Sequence, residues 1–486
     1  MYLGLDFGTS SVKGVLIDGN QKIIATASSP LKVSRPHPGW SEQNPEDWWK
    51  AAGKVVAALR KMKPKAVAAV EGIGLSGQQH GATLVDKDGK ALRPCILWND
   101  ARSFVECHDI MDGTPGVVAH SGNIVLAGYT APKLVWVKKH EPRIFDKVAK
   151  VLLPKDFIRL KMTGDYASDM SDSSGTYWLD IKHRQWSELL LKAGGMRRDQ
   201  MPELFEGTDA TGRLSPSVAK AWGMPKRPVV AGGGGDNAAS ACGIGAVTDG
   251  AGFLSIGTSG VIFVSNDTFS PNAAKMVHAF CHATPNTWHQ MSVILSATAS
   301  LEWLSGLLKT PAPQLTKALG NKFKGPSSTL LLPYLSGERS PVGDAQVRGV
   351  MMGLAHETDR NTLTHAVLDG LAFAFRDNMD ALREGGAKIN RLMAVGGGTK
   401  SELWLRIIAT VLGVPIDLPA AGDVGGAFGA ARMGLVAATG ADFRKVFTKP
   451  KIAKTIQPEK AVMAAYEDQY LRYLKIYPAI KEIKLS

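Results

Sequence analysis

Apolar residues along this chain cluster in short runs that end in glycine, serine or threonine, with longer amphipathic stretches between them. Short runs bounded by turn residues predict strands, and apolar positions at helical spacing predict helices packed against them. Tyr2 to Asp6 and Val12 to Asp18 predict two strands joined by a tight turn, Phe7-Gly8-Thr9-Ser10-Ser11. Glu71 to Ser76 reads as a buried strand, Val229-Val230 as a β-branched run entering four glycines, and Arg391 to Val395 as a strand entering Gly396-Gly397-Gly398. A helix is predicted after Pro154, ending at Thr163-Gly164-Asp165, with Ser168 to Asp172 as a loop of caps and turns. Leu331 to Pro341 has the Pro and Gly spacing of an ordered loop. Asn361 to Leu382 is amphipathic and helical, its start marked by Asp359 and Asn361, and Asp423 to Ala431 opens a small-residue helix. From Thr448 onward the pattern predicts only a basic connection and a closing amphipathic helix, Lys460 to Leu474.

The first strand pair recurs. Phe253 to Val261 repeats strand, Gly-Thr-Ser and strand, so that Gly8 aligns with Gly257, Thr9 with Thr258, Ser10 with Ser259 and Val12 with Val261. Asp6 then falls on Ser255, and the repeat is imperfect where charge matters. Self-similarity at this distance predicts a duplicated α/β unit. The expected division is 1–245 and 246–486, with one phosphate-facing turn on each side of a central cleft. Backbone N–H groups and hydroxyls in such turns suit an anion, which makes Thr9, Ser10, Gly257 and Thr258 candidates for phosphate contact.

Composition narrows the function classes. At 486 residues, with 44% hydrophobic and 21% charged positions, the chain is that of a globular protein of two or more domains. The net charge of +13 is spread among acids without a basic block, which favours an anionic small substrate, or solubility alone, over nucleic acid. Cys95, Cys107, Cys242 and Cys281 lack metal or disulfide spacing, as expected of a cytoplasmic protein. Met1 to Asp6 reads as a strand and not as a signal peptide, and no apolar stretch is long enough to span a bilayer, so no membrane partner is expected.

The candidate chemistry gathers around Val229 to Gly243. Four consecutive glycines, Gly232 to Gly235, let backbone approach a ligand closely and present Asp236 at the mouth of a helix. The helix dipole and free N–H groups are expected to hold its pKa down and keep it ionised, able to accept a proton from a hydroxyl. Asp236 also fits a plain N-cap. Gln79 and His80 follow a strand on a loop equipped to grip hydroxyls, although a lone histidine is often only a satisfied structural residue. Trp98 fits a core position, and Asp100 and Arg102 a local pair. Gly396 to Ser401 between strand and helix offers a second site of close approach, suited to a base, ribose or phosphate. There is no Walker A loop, no protein-kinase signature and no dinucleotide-binding glycine fingerprint in its strand–helix context.

Leu5-Asp6-Phe7-Gly8-Thr9-Ser10, the Gly-Gly-Gly-Asp-Asn around Asp236, the second Gly-Thr-Ser and the glycines at 396–398 together resemble the FGGY carbohydrate kinases. Gly128 to His140 looks like that family's first signature and Gly349 to Asp369 like its second, with Thr362 where an acid or amide is usual. The likeness runs from residue 1 to about residue 475 and is nearest to the branch acting on a ketopentose, where Met is more usual than Gln79. The Arg-Glu pair of glycerol kinases is missing from that loop. The resemblance implies duplicated ribonuclease H-like domains of the actin and hexokinase type, with ATP and Mg²⁺ as cofactors, a sugar as substrate and a homodimer as the assembly. It implies Asp236 as general base with Asn237 beside it on the sugar. Gln79 and His80 would hold other hydroxyls, and Asp6 would sit near Mg²⁺. Thr9, Ser10, Gly257 and Thr258 would lie at the phosphates, and Gly397, Gly398 and Ser401 against adenosine.

Overall fold

The computed structural model describes residues 1–320, 323–420 and 425–483. Its first sheet has seven strands: β1 (Tyr2–Phe7), β2 (Ser11–Ile17), β3 (Ile23–Pro30), β4 (Gly72–Gly77), β5 (Ala210–Arg213), β6 (Val229–Ala231) and β7 (Gly234–Gly235). The order is β5-β6-β4-β1-β2-β3, with β7 also paired to β4. The second sheet holds β8 (Gly252–Ile256), β9 (Gly260–Asn266), β10 (His278–Cys281), β11 (Trp288–Ile294), β12 (Leu392–Val395), β13 (Ile416–Pro419) and β14 (Ile452–Ile456), in the order β10-β11-β9-β8-β12-β13-β14.

The two sheets share one pairing scheme. β1 pairs antiparallel with β2 and parallel with β4, as β8 does with β9 and β12. The next neighbours match as well: β4 to β6 and β12 to β13 are parallel, β2 to β3 and β9 to β11 antiparallel. The recurrence read from Gly-Thr-Ser therefore extends through the sheets. The strand β14 was not expected. Lys451 to Ile456 carries two lysines and a weak apolar alternation, and tertiary pairing with β13 makes it an edge strand.

Two helices join the halves. Asp236–Ile244 follows β7 and lays Ala241 and Ile244 against Phe253, Phe263 and Met291 of the second sheet. Gly426–Thr439, late in the chain, crosses back over β1 and β4. Its contact is backbone against backbone: a Cβ on Gly4, Gly72 or Gly74 would overlap the carbonyl oxygen of Ala427, Gly434 or Ala430. The two helices touch in the same way, with Gly429 against the Ala239 carbonyl. Arg432 reinforces this seam by donating to the carbonyls of Cys242 at 3.0 Å and Gly243 at 3.1 Å. Asp423 and Val424, expected at the start of this helix, lie outside the described residues.

Other expectations meet the structure as follows. The helix after Pro154 spans Pro154–Thr163 and ends at Gly164 in the left-handed region. Arg360–Glu384 is capped by Asp359, whose carboxylate accepts from the Thr362 amide at 2.8 Å. Ser168 to Asp172, expected as loop, instead forms the end of a strand, Ala167–Asp169, and the start of a short helix, Met170–Ser173. Asp169 caps that helix while its other oxygen meets a buried lysine, a tertiary reason that local propensity does not carry.

Candidate active site

Asp6, the last residue but one of β1, pairs with Ser76 of β4, and the Ser76 hydroxyl donates to Asp6 Oδ1 at 2.7 Å. Burial raises the Asp6 pKa, against the opposing effects of Ser76 and Lys13. In the adjoining turn the Thr9 hydroxyl donates to Gln78 Oε1 at 2.9 Å and accepts from Trp98 Nε1 at 3.0 Å. The Thr9 carbonyl accepts from Gln43 Nε2 at 2.7 Å, and Gln43 Oε1 accepts from both Gln78 and Trp48. The side chain of Thr9 is thus engaged by protein, and Ser10 is the exposed hydroxyl of the turn. Trp98 is a correction: it is 37% exposed and not core, because its indole N–H finds its acceptor at this turn. Asp100 and Arg102 do form the expected pair, at 2.7 Å.

The glycine run is explained by close packing on three sides. A Cβ on Gly232 would overlap the Glu206 carbonyl, one on Gly233 the Leu75 carbonyl, and one on Gly235 would stand 2.5 Å from Gln79 Nε2. Gly233 also has φ +76°, a left-handed conformation that suits glycine. Asp236 is the first residue of its helix, and the cap position belongs to Gly235. The N-cap reading of Asp236 therefore does not hold. Asp236 Oδ1 accepts from the Asn237 amide at 2.7 Å and from Asn237 Nδ2 at 2.9 Å.

The expected depressed pKa is also overturned. One edge of Asp236 stays open to the cleft, but the surrounding protein strips away enough water to push its pKa up to about 7, with the negative charge of Asp6 adding to the effect. Hydrogen bonds from Asn237 oppose this shift and lose. Desolvation of a carboxylate outweighs one amide pair and a helix N-terminus.

Gln79 and His80 follow β4, and Gln79 packs against Gly235, the residue before Asp236. Gln79 is buried, and its amide donates to the Ser171 carbonyl at 3.4 Å. His80 has φ +67° and sits 2.8 Å through Nδ1 from the Gly175 carbonyl, with its ring against Tyr129 at 5.1 Å and Phe280 at 6.1 Å. Burial, aided by Lys133, pushes its pKa down to about 3, so the ring is neutral at pH 7. A carbonyl partner makes Nδ1 the donor and leaves Nε2 as an acceptor. Lys133 holds this loop from beneath, donating to the His80 carbonyl at 2.9 Å and the Gly128 carbonyl at 2.5 Å. Its burial lowers its pKa to about 7.

The candidates in the second half gather around a separate cavity of about 580 Å³. Gly397, Gly398 and Ser401 line it opposite the helices Thr298–Leu308 and Ala312–Ala318. Gly397 faces open space, whereas Gly398 packs on Ile256 and Trp404. Ser401 also caps the helix Glu402–Leu412, accepting from the Trp404 amide. Gly257 and Thr258 do not line this cavity but are tied to the helix that does: their carbonyls accept from the Thr298 and Ala297 amides, each at 2.9 Å. Two groups result, one around Asp6, Thr9, Ser10, Gln79, His80, Asp236 and Asn237, and one around Gly257, Thr258, Gly397, Gly398 and Ser401.

Residues 1–243 match the FGGY family of carbohydrate kinases, N-terminal domain, and residues 252–438 its C-terminal domain. The chain belongs to the FGGY carbohydrate kinases. It is 44% identical to a xylulose kinase from Escherichia coli (strain K12), over 98% of each chain. Among solved structures it is similar to a xyloylose kinase from Brucella ovis, at 54% identity and a TM-score of 0.97, and to a xylulose kinase from Rhodospirillum rubrum, at 27% and 0.92. Both likenesses cover 99% of each chain.

Sequence reading missed several residues that shape this kinase's site. Gln43, Trp98 and Ser76 hold the first turn and Asp6, and Lys133 holds the His80 loop. For Lys133 a signal was present, a lone lysine inside the apolar run Leu134 to Val137 and its preceding turn. No helix of the described residues is long and apolar enough to cross a membrane.

Proposed function

We propose that this kinase transfers the γ-phosphoryl group of ATP to the C5 hydroxyl of D-xylulose, giving D-xylulose 5-phosphate. The chemistry is supported by one arrangement: Asp236 follows Gly235, which packs on Gln79, and it lies within reach of the Asp6 charge, which with burial raises its pKa to about 7. The choice of sugar is supported by the relatives at 44% and 54% identity. Ribonuclease H-like domains, 1–245 and 246–486, would flank the cleft, a reading supported by the shared pairing scheme of the two sheets.

Asp236 takes the proton of the attacking hydroxyl. Asn237 occupies its Oδ1, so the proton falls to Oδ2. His80 Nε2 accepts from a neighbouring sugar hydroxyl, and Gln79 confines the sugar beside Gly235. In a loose transition state proton transfer comes late, and much of the gain lies in holding the hydroxyl in line.

The cavity beside Gly397, Gly398 and Ser401 has the size of a nucleoside site, and Gly397 has open space before it. Among the described residues no three acidic, histidine or cysteine side chains form a cation cage. Asp6 near Asp236 instead fits Mg²⁺ held by one carboxylate, waters and phosphate oxygens. When bound, the ion supplies positive charge against the phosphate oxygens.

The test is a coupled ATP assay over D-xylulose, D-ribulose, L-fuculose, gluconate and glycerol. D-Xylulose is expected to give the highest kcat/KM. Preference for any other by more than about tenfold, roughly 1.4 kcal/mol, overturns the assignment of the sugar.

A further inference from the structure

Beneath the glycine run lies a fully buried charged cluster that the reaction as described does not use. Lys155 Nζ is 2.6 Å from Asp156, 2.7 Å from Asp169 and 3.3 Å from Asp172, all with no side-chain exposure. Arg159, one turn further on, donates to the carbonyls of Ala231, at 2.6 Å, and Gly232. Asp169 Oδ2 accepts from the hydroxyl of Ser171 at 2.5 Å and from its amide at 2.8 Å. That hydroxyl, with its proton committed to Asp169, accepts from the Gly235 amide at 3.2 Å. The Ser171 carbonyl meanwhile accepts from Gln79.

The geometry points to Ser171 as a positioning residue for the phosphoryl-transfer step, clasping the loop of Asp236 and the loop of Gln79 to one rigid anchor. Gly235 is the last residue before Asp236, and its amide direction sets where the first helical turn begins. Without Ser171 Oγ this buried N–H has lost its partner and the peptide must turn to find another. Lys155 fixes Asp169, Asp169 fixes the Ser171 hydroxyl, and the hydroxyl fixes Gly235. Burial alone would lower the Lys155 pKa, but three carboxylates outweigh it and hold the lysine charged. Burial pushes the Asp172 carboxyl well above the ordinary carboxylate range, against the pull of Lys155. Removing one partner from such a buried cluster is costly, so its members stay where they are. Rigidity is what a base needs when a displacement of about 1 Å is enough to lose two orders of magnitude in rate.

The inference rests on the reading of Asp236 as the base. Its test compares Ser171→Ala with Ser173→Ala, each in the full chain. Ser173 Oγ donates to Ser168 Oγ at 2.9 Å within the same buried region, yet touches neither loop. Ser171→Ala loses two buried hydrogen bonds and Ser173→Ala one, so Ser171→Ala is expected to melt somewhat lower, and the two are told apart by kcat and by the Gly235 amide. Ser171→Ala should lose at least about tenfold in kcat with sugar KM changed less than about threefold, whereas Ser173→Ala stays within about twofold of wild type. Exchange of the Gly235 amide, read by hydrogen–deuterium exchange in the peptide spanning 230–240, should quicken only in Ser171→Ala. Ser171→Cys, whose sulfur is a weak acceptor, should fall between and serves if the alanine variant does not fold. Each rate is taken with the sugar that wild type phosphorylates best, so a wrong sugar assignment leaves the comparison intact. Ser171→Ala with kcat within about threefold of wild type, or an equal loss in Ser173→Ala, overturns the proposal.

Discussion

Asp6 and Asp236 reach the cleft from different elements, the end of β1 and the first turn of the following helix, yet the charge of Asp6 helps to raise the pKa of Asp236. One carboxylate is pinned by Ser76 and the other by Asn237, so neither swings away from the repulsion. Two carboxylates held in repulsion favour a proton on Asp236.

With Asp236 as the proposed base, that poise predicts the pH dependence of the reaction. With a pKa of about 7, Asp236 is ionised only in part at neutrality. Sugar kcat/KM should rise with pH, about tenfold per unit well below 7, and level off above it. A profile flat from pH 5 to 8 at saturating ATP speaks against Asp236 as the base.

Asp236→Asn should lose about 10²–10⁴-fold in kcat while sugar affinity, measured by calorimetry, stays nearly unchanged. Stability should move the other way. The folded pKa is about 7 and the unfolded one near 3.8, so the folded state holds a proton that the unfolded state releases between those values. Wild-type stability therefore falls as pH rises through this window, and the full penalty remains above it. Replacing the acid by a neutral amide removes that penalty, about 1–3 kcal/mol after solvent screening of a partly open group. Melting at pH 8 should be no lower than wild type. Because Gly235 is the cap, no loss from uncapping is expected.

Asp6 and Ser255 occupy equivalent places on β1 and β8, but only Asp6 faces a hydroxyl across its parallel neighbour; Ser255 faces Val395. Asp6→Ala should weaken Mg²⁺ activation and lower kcat strongly, and Ser255→Ala should change either by less than about threefold. Titrating activity against Mg²⁺ for both variants checks this, and equal losses would remove the asymmetry.

On the acid side His282 is one of several histidines whose pKa burial lowers, His80 among them, and all act in the same direction. It is buried without exposure, 3.1 Å through Nε2 from the Ala246 carbonyl, and burial pushes its pKa down to about 4. Unfolding returns it to about 6.5. Between these values the unfolded state binds the extra proton, so stability falls as pH drops from 6.5 toward 4. Urea denaturation over this range should show one proton less of linkage in His282→Gln than in wild type.

What the sequence carried and what it did not divides along physical lines. The two Gly-Thr-Ser hairpins and the run before Asp236 were legible because glycine and turn chemistry act within a few residues. The ionisation of Asp236 was not, since a helix N-terminus is visible in sequence but the water removed by β4 and the Gln79 loop is not. Trp98 looked apolar and proved to be a donor to Thr9, a partner 89 positions away. Lys155 read as a helix residue and Asp169 and Asp172 as loop residues, and only folding brings the lysine to 2.7 Å from one carboxylate and 3.3 Å from the other. Ile452–Ile456 became a strand through β13, not through its own pattern.

The seam where Gly426–Thr439 crosses the first sheet limits how this protein can change over generations. At Gly4, Gly72, Gly74 and Gly429 the obstacle to any larger residue is a carbonyl oxygen of the facing backbone, and at Gly434 it is the backbone of Ile73 and Gly74. A clash between side chains is relieved by trimming the partner. Here the partner has nothing to trim. Second-site suppressors of alanine at these positions are therefore closed off, and a saturation library should find them as invariant as Asp236, although they lie away from the reacting atoms.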